Sequence, residues 1–184
     1  MKPNQSITTR QGDRGTTRLF SGEEVSKASA RMEALGDLDE LNSALGLARC
    51  QAARPGMRES LLFVQKQLFV AAAEAATAQE KAELLTARLG EGDVAEMDRL
   101  CAELEAKIEH PHDFIIPGET MAGACLDQAR ALARRCERRL AALNESRQLE
   151  NPHLLVWMNR LSDWLWLLAR WEEGRSRLQK EKRI

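Results

Sequence analysis

The chain contains no tyrosine and little valine, so residues that favour β-strands are scarce. It also lacks any apolar run near the roughly 18 residues that a transmembrane helix needs, and its N-terminus lacks the apolar core of a signal peptide. Its formal net charge is −1, so no excess of positive charge favours binding to nucleic acid or to an anionic membrane. From these absences we expect a cytoplasmic protein with no nucleic-acid or membrane partner.

Cysteine is present, but not in the spacing of a metal site. None of the four cysteines forms the C-x-x-C pair that is typical of zinc ligands. Each lies in helix-like sequence among leucine and alanine, where a free thiol behaves as a small apolar side chain. We therefore expect no zinc site and four buried free thiols, at Cys50, Cys101, Cys125 and Cys136.

Apolar residues recur at helical spacing along most of the chain. In the first such stretch Leu38, Leu41 and Leu45 form one face, and a Pro-Gly pair ends the pattern at position 55. The periodicity predicts a single domain over residues 1–184, an all-α bundle of four or five helices. The helices are predicted at about 30–53, 58–79, 94–108, 120–144 and 151–174.

Caps and prolines mark the limits of these helices. Thr120 is the predicted N-cap of the fourth helix, and Asn151, followed by a proline, opens the fifth. Two prolines in residues 109–118 prevent a continuous helix and predict a loop, and residues 80–91 are interpreted as a connection. Ahead of the helices lies an N-terminal arm over about residues 7–28.

The arm carries the run TTRQGDRGTT at residues 8–17, and the segment 16–20 favours extended backbone. Glycine lets backbone N–H groups approach a phosphate, and threonine hydroxyls add donors. The run is not a Walker A loop, because no Gly-Lys-Ser/Thr follows the glycines. Its composition is typical either of an anion-binding loop or of an ordinary turn, and it does not choose between them.

The fourth predicted helix carries arginines beside its apolar face. Arg130, Arg134, Glu137 and Arg138 follow helical spacing one residue away from the apolar seam, and Asn159 begins a similar polar edge on the fifth helix. An arginine in this position suits an intersubunit contact or a bound phosphate, because its planar fork keeps its charge. The same pattern also fits a solvated face with i,i+4 ion pairs.

A di-iron site is an alternative that helical bundles allow. Such a site needs two Glu-x-x-His motifs and two further glutamates. Only Glu150-Asn-Pro-His153 fits, and its proline lies at a helix start, so we expect no di-metal site. The histidines are interpreted as surface residues or caps: His110, His112 and His153.

Three separated blocks together resemble one enzyme family. They are TTRQGDRGTT with Lys27, Arg31 and G-x-x-D-E-L-N-S at 36–43; FIIPG at 114–118 with the arginine helix that follows; and NRLSDWL at 159–165. In this order and spacing they are similar to the ATP:cob(I)alamin adenosyltransferases of the trimeric propanediol-utilisation type. The resemblance covers most of residues 7–170, and it implies a homotrimer of five-helix bundles with active sites between subunits.

The resemblance implies a reaction and its participants. Cobalt(I) of a reduced corrinoid attacks C5′ of ATP, so triphosphate leaves and adenosylcobalamin forms, without a protein nucleophile or general base. ATP and cobalamin are then substrates, and Mg²⁺ accompanies the triphosphate with no assigned protein ligand. A reductase and an adenosylcobalamin-dependent enzyme are implied partners. The alternatives are a non-catalytic ATP- or corrinoid-binding carrier or regulator on the same bundle, and a plain helical interaction module.

The resemblance also assigns residues to ATP. It implies that Arg134 and Glu137 contact the nucleotide, that Lys27 reaches the triphosphate, and that Asn159 contacts the nucleotide from the fifth helix. The arm is expected to supply the remaining contacts. The full set of predicted ATP-binding residues is Thr8, Thr9, Arg10, Gly12, Asp13, Gly15, Thr16, Thr17, Lys27, Arg134, Glu137 and Asn159.

A second group is implied for the corrinoid. Phe114 matches a phenylalanine that packs at the lower face of the corrin ring, although Phe before Ile-Ile would otherwise be interpreted as a loop anchor in the core. Arg130 and Asp39 match a pair that meets across a subunit boundary. The predicted corrinoid-binding residues are thus Phe114, Asp39 and Arg130, and together with Arg134 they form the predicted catalytic set.

Three positions depart from the family pattern. Glu119 stands where a second glycine is usual after Pro-Gly, Asp127 where histidine is usual, and Glu24 where arginine is frequent. Glu119 and Asp127 are expected to add negative charge near the corrin side and to alter corrinoid affinity or preference. The predicted nucleotide residues are intact, so we expect an active enzyme.

Overall fold

The computed structural model describes the backbone of residues 8–109 and 114–181, with side chains as far as residue 174. Within these ranges five α-helices and one short antiparallel hairpin form the fold, in agreement with an all-α bundle. The strands are β1 (Thr16–Arg18) and β2 (Glu24–Ser26). The helices are α1 (Ala30–Gln51), α2 (Met57–Ala75), α3 (Glu91–Glu105), α4 (Met121–Glu145) and α5 (Pro152–Glu181), with a 3-10 helix at Gln79–Leu84.

Side-chain caps start the helices where the sequence places them. The Thr120 hydroxyl accepts from the Gly123 N–H at 2.9 Å, and the Asn151 side chain accepts from the His153 N–H at 3.0 Å. Each cap satisfies a backbone donor that has no partner inside the helix. Both predicted N-caps are therefore confirmed.

The core lies between helices packed in the order α2, α1, α4, α5 and α3. The predicted α1 stripe of Leu38, Leu41 and Leu45 is fully buried, and α5 contributes Trp157 and Trp164. Burying an apolar side chain of this size stabilises a fold by about 1.5–3 kcal/mol. This packing fixes the α4 and α5 edges that carry the predicted site residues.

Two helix limits differ from the prediction, for identifiable reasons. Helix α2 ends at Ala75, because the buried Arg31 guanidinium donates to the carbonyls of Ala75 at 2.5 Å and Thr77 at 3.2 Å and so caps its C-terminus. Helix α3 begins at Glu91, three residues early, because the Asp93 carboxylate accepts from the Gly90 N–H. Helix α5 extends beyond position 174, where the prediction ended it.

The hairpin shapes the N-terminal arm. Strand β1 pairs with β2 in the register Thr16 with Ser26 and Thr17 with Val25, so the predicted extended backbone is confirmed over residues 16–18. The second strand was not predicted, since its three residues are too short to show a pattern. Gly22 has a φ of 93°, which turns the chain back.

The structure tests the expectations of four buried thiols and of no membrane-spanning helix. Cys101, Cys125 and Cys136 are buried, but Cys50 is exposed, so the expectation of four buried thiols was wrong for that residue. Position 50 lies roughly 200° around α1 from the buried Ala48. In the part of the chain that the structure describes, no helix has the length and hydropathy to cross a membrane.

Candidate active site

The hairpin brings Lys27 back onto the glycine-rich arm. The Lys27 N–H donates to the Gly15 carbonyl at 2.9 Å, and the Gly15 N–H donates to the Gly12 carbonyl at 3.2 Å. A Cβ atom built on Gly12 would lie 2.7 Å from Lys27 Nζ, so the ammonium group lies directly over this glycine. The predicted ATP-binding residues Gly12 and Lys27, which are more than ten residues apart in the sequence, are therefore adjacent in the fold.

The rest of the predicted arm residues surround this contact. Gly15 has a φ of 81°, a conformation that glycine adopts without strain. Thr16 and Thr17 are half-buried in β1. The other predicted arm residues with side chains are exposed, namely Thr8, Thr9, Arg10 and Asp13. Hydroxyl, backbone N–H and ammonium donors thus lie together on one surface loop.

A second group of predicted ATP residues meets where α4 and α5 pack together. The Asn159 side-chain amide donates to Glu137 Oε1 at 3.2 Å, and Arg160 Nη1 donates to Asn159 Oδ1 at 3.1 Å. Arg134, one turn before Glu137, is exposed. We call Arg134, Glu137 and Asn159 the nucleotide face. It combines a cation with a carboxylate and a carboxamide, groups suited to a phosphate and to polar atoms of a nucleoside.

Arg130 and Asp39 do not meet within one chain. The Arg130 Nε–H donates to Asp127 Oδ1 at 3.2 Å. Asp39 is exposed and lines a cleft of about 340 Å³ between α1 and α2, together with Gln65 and Phe69. The contacts between α1 and α4 use other residues, as in the ion pair of Asp37 with Arg135, the residue that follows Arg134. The two predicted partners therefore lie on different faces of the bundle.

Next to Arg130 is a buried ion cluster, formed by Asp127, Arg170 and Glu173. Arg170 Nη2 donates to Asp127 Oδ2 at 2.5 Å, and Arg170 Nε lies 2.9 Å from Glu173 Oε2. Burial raises the pKa of Glu173, and the Arg170 charge opposes that rise. The cluster lies against Gly123, where an added Cβ would come within 2.9 Å of the Glu173 side chain.

The ion cluster corrects one expectation. Asp127 does not add free negative charge, because two arginines neutralise it; Glu119 and Glu24 are exposed. The cluster was missed by sequence reasoning, although a signal exists. Asp127 and Arg130, like Arg170 and Glu173, are opposite charges three residues apart on helices whose apolar faces meet.

Phe114 is fully exposed, just before α4. Ile116 and Met121 are also largely exposed, so three exposed apolar side chains fall within eight residues of the sequence leading into this helix. Phe114 is therefore not an anchor in the core of this chain. His153 is exposed as expected, whereas the interpretations of His110 and His112 lie outside the described residues.

A cleft of about 420 Å³ runs between α3 and α5 on the far side of Arg160. Its lining includes Asp98, Cys101 and Trp166. Burial raises the pKa of the Cys101 thiol to about 12, so this sulfur is not a nucleophile near neutral pH. Across residues 8–109 and 114–174, no group of three or more His, Cys, Asp or Glu side chains is placed to hold a metal ion.

Comparison with known proteins identifies relatives of the whole bundle. The cobalamin adenosyltransferase family matches residues 7–172. The corrinoid adenosyltransferase PduO of Salmonella typhimurium is 42% identical over 169 residues, 92% of this chain and 50% of the relative. A corrinoid adenosyltransferase of Citrobacter freundii is 40% identical over 167 residues, 91% of this chain and 94% of the relative. The chain thus spans half the length of the first relative and nearly all of the second.

Solved structures share the same architecture. A phenylalanine-to-alanine variant of the PduO-type ATP:corrinoid adenosyltransferase from Lactobacillus reuteri, complexed with cobalamin and ATP, superposes with a TM-score of 0.85 at 26% identity. The superposition covers 94% of this chain and 96% of that one. An arginine-to-lysine variant of the PduO-type enzyme from that organism, complexed with ATP, gives a TM-score of 0.85 at 28% identity. The matched residues and the shared fold confirm the resemblance, and this chain belongs to the cobalamin adenosyltransferase family.

Proposed function

We propose that this chain transfers the 5′-deoxyadenosyl group of ATP to the cobalt of reduced cob(I)alamin, releasing triphosphate and forming adenosylcobalamin. The observation that carries the proposal is the hydrogen bond between Glu137 and Asn159 at 3.2 Å. It joins two sequence blocks, separately assigned to ATP, beside the exposed Arg134. A plain interaction module gives no reason for these groups to meet on one face.

The charges of the candidate ATP site suit a leaving triphosphate. Neither Lys27 nor Arg134 forms an ion pair with any residue of the described ranges, so a phosphate chain displaces no carboxylate from them. Fixed cations and N–H donors aimed at developing negative charge stabilise a transition state without reorganising. We assign the triphosphate to the arm, Lys27 and Arg134, and the rest of the nucleotide to Glu137 and Asn159.

Mg²⁺ fits this site as a companion of the phosphates. Magnesium keeps several waters and usually binds through substrate phosphates with few protein ligands. The arm offers the exposed Asp13 carboxylate and threonine hydroxyls, but no cluster of three carboxylates or histidines is present among the described side chains. Mg²⁺ would therefore be held mainly by the triphosphate itself.

The corrinoid side supports a homotrimer with sites between subunits. Asp39 and Arg130 lie on different faces of one bundle, and Asp39 has no ion-pair partner among the described residues of its own chain. A second copy can supply the missing half of each pair. Phe114, exposed at the start of α4, would then form an apolar wall under the corrin ring and exclude a lower ligand from cobalt.

The reaction needs an electron source and a receiver. A reductase would reduce the bound cobalt, and an adenosylcobalamin-dependent enzyme would take the product. The defining experiment mixes the purified chain with ATP, Mg²⁺ and chemically reduced cobalamin, and measures both triphosphate and the optical spectrum of adenosylcobalamin. Binding of ATP and corrinoid without either product would favour the non-catalytic carrier instead.

Assembly has its own test. Sedimentation is expected to show a trimer. Asp39→Ala is expected to weaken corrinoid binding clearly but to lower the melting temperature only slightly, because Asp39 is exposed in the single chain. Removing one partner of a buried intersubunit charge pair costs about 2–5 kcal/mol. A monomer with full activity would contradict the trimeric site.

A further inference from the structure

We propose that Asp127 is a positioning residue for Arg130, holding its guanidinium by one edge so that the other edge faces the corrinoid side and the neighbouring subunit. This inference rests on the proposed function. The residue stands where the family pattern has histidine, so the device would be particular to chains that carry a carboxylate here.

The geometry assigns the two oxygens of Asp127 to two arginines. Oδ1 accepts from Arg130 Nε at 3.2 Å, and Oδ2 accepts from Arg170 Nη2 at 2.5 Å. Only the Nε edge of Arg130 is used, and Asp127 is its one ion-pair partner within the described part of the chain. The terminal Nη atoms of Arg130 therefore remain available, and its side chain is 30% exposed.

Asp127 is itself held rigidly. Its side chain is 5% exposed and that of Arg170 is 6% exposed. Arg170 is fixed in turn by Glu173 at 2.9 Å and by the Trp166 ring, whose centroid lies 5.6 Å from the guanidinium carbon. An arginine held only by solvent samples many rotamers, whereas this one is attached to a buried and fully paired acceptor.

The charge balance explains what the carboxylate contributes in this chain. Asp127 and Glu173 carry two negative charges, which match the positive charges of Arg130 and Arg170. Replacing Asp127 with a neutral amide leaves Arg130 without an anionic partner and lets its side chain leave the helix surface. Corrinoid binding then has to order this arginine again, and the affinity falls.

The test is a double-mutant cycle on the full trimer with Asp127→Asn and Arg130→Ala. Asp127→Asn is expected to weaken corrinoid binding about tenfold and to leave ATP binding unchanged, a coupling of the usual size for residues in contact. In the Arg130→Ala background the same change is expected to have no further effect on corrinoid affinity. Equal losses in both backgrounds would overturn the proposal.

Glu172→Gln provides the matched control, since this carboxylate is equally buried but pairs with Arg54 at 3.8 Å instead of Arg130. It is expected to lower the melting temperature without changing corrinoid affinity; a corrinoid loss equal to that of Asp127→Asn would contradict the proposal.

Two further measurements keep the test decisive. Should Asp127→Asn fail to fold, Asp127→Glu keeps the charge but moves the oxygens by one methylene, and its effect must again vanish without Arg130. Wild-type protein that makes no adenosylcobalamin would refute the proposed function, whereas active wild type with an additive cycle would refute only the role of Asp127.

Discussion

The candidate ATP site and the candidate corrinoid site are built in opposite ways. Inside one chain the predicted ATP residues form two separate pairs, Lys27 over Gly12 in the arm and Glu137 against Asn159 between α4 and α5. The corrinoid residues remain apart, with Asp39 on the α1/α2 face and Phe114 fully exposed. Residues of the proposed ATP site thus already touch one another within one chain, whereas the proposed corrinoid residues do not.

This difference indicates which side of the proposed site depends on the proposed trimer. A hydrogen-bonded carboxylate and carboxamide are already oriented before substrate binds, so ATP needs little reorganisation of the α4/α5 face. In the proposed trimer, the exposed Phe114 and Asp39, which has no ion-pair partner among the described residues of its own chain, would acquire partners only when a second subunit or the corrinoid covers them. We therefore expect substitutions in the proposed ATP site and in the proposed corrinoid site to have different effects on ligand binding, turnover and assembly.

Arg134→Ala should give the largest effect and tests the nucleotide side. In the proposed function its exposed positive charge stabilises the leaving triphosphate, and loss of one such group is expected to lower kcat by about 10²–10³-fold. Single-turnover formation of adenosylcobalamin measures this loss. Arg138→Ala is the control, because Arg138 is equally exposed but donates back to the Arg134 carbonyl. Unchanged turnover in Arg134→Ala would show that the triphosphate is held elsewhere.

Phe114→Ala should give the next effect and tests the corrinoid side. Bound cob(II)alamin should gain a fifth ligand, seen in its optical and spin-resonance spectra, and turnover should fall about tenfold or more, equivalent to about 1.4 kcal/mol of barrier. ATP affinity should stay the same.

Thermal stability separates this role from a structural one. A buried phenylalanine costs about 3–5 kcal/mol when truncated, but Phe114 is fully exposed, so no such loss is expected. Leu84→Ala, at an exposed position outside the proposed sites, serves as the control for surface truncation. A destabilised Phe114 variant with an unaltered cobalt spectrum would make this residue a packing element.

The same contrast describes what sequence alone could predict. The apolar stripes of α1 and α4 predicted the helical bundle, and the family blocks predicted that Glu137 and Asn159 both bind ATP. The Asp127–Arg170 contact was not predicted, because the charge pairs within each helix do not determine how α5 is rotated against α4. Likewise, the C-terminus of α2 is set by Arg31, more than forty residues earlier in the chain.

Gly12→Ala should have a moderate effect confined to ATP. The new Cβ would lie 2.7 Å from Lys27 Nζ, so the flexible end of the lysine must move away from the arm. We expect KM for ATP to rise about tenfold or less, the effect of up to about 1.4 kcal/mol, with corrinoid affinity unchanged. In a Lys27→Ala background the substitution should be nearly silent; a full effect there would mean that the glycine backbone, and not Lys27, responds to the added methyl group.

The smallest effect concerns the contacts that join the hairpin of the N-terminal arm to the 3-10 helix. Lys81 lies 2.6 Å from Glu23, and Ser21 also donates to this carboxylate; these contacts lower the pKa of Glu23 to about 2. Because the pKa is lower in the folded state, the contribution is complete above the ordinary value of 4.5 and is lost as pH falls through about 2. The carboxyl carbon shift of Glu23, followed by NMR between pH 6 and 1.5, should titrate near 2 in the wild type and move towards 4.5 in Lys81→Ala. A wild-type titration midpoint near 4.5 would mean that the contacts between the hairpin and the 3-10 helix do not form in solution. The arm would then be ordered only when ATP binds. In that case neither the ATP residues nor the corrinoid residues would be arranged in advance within one chain.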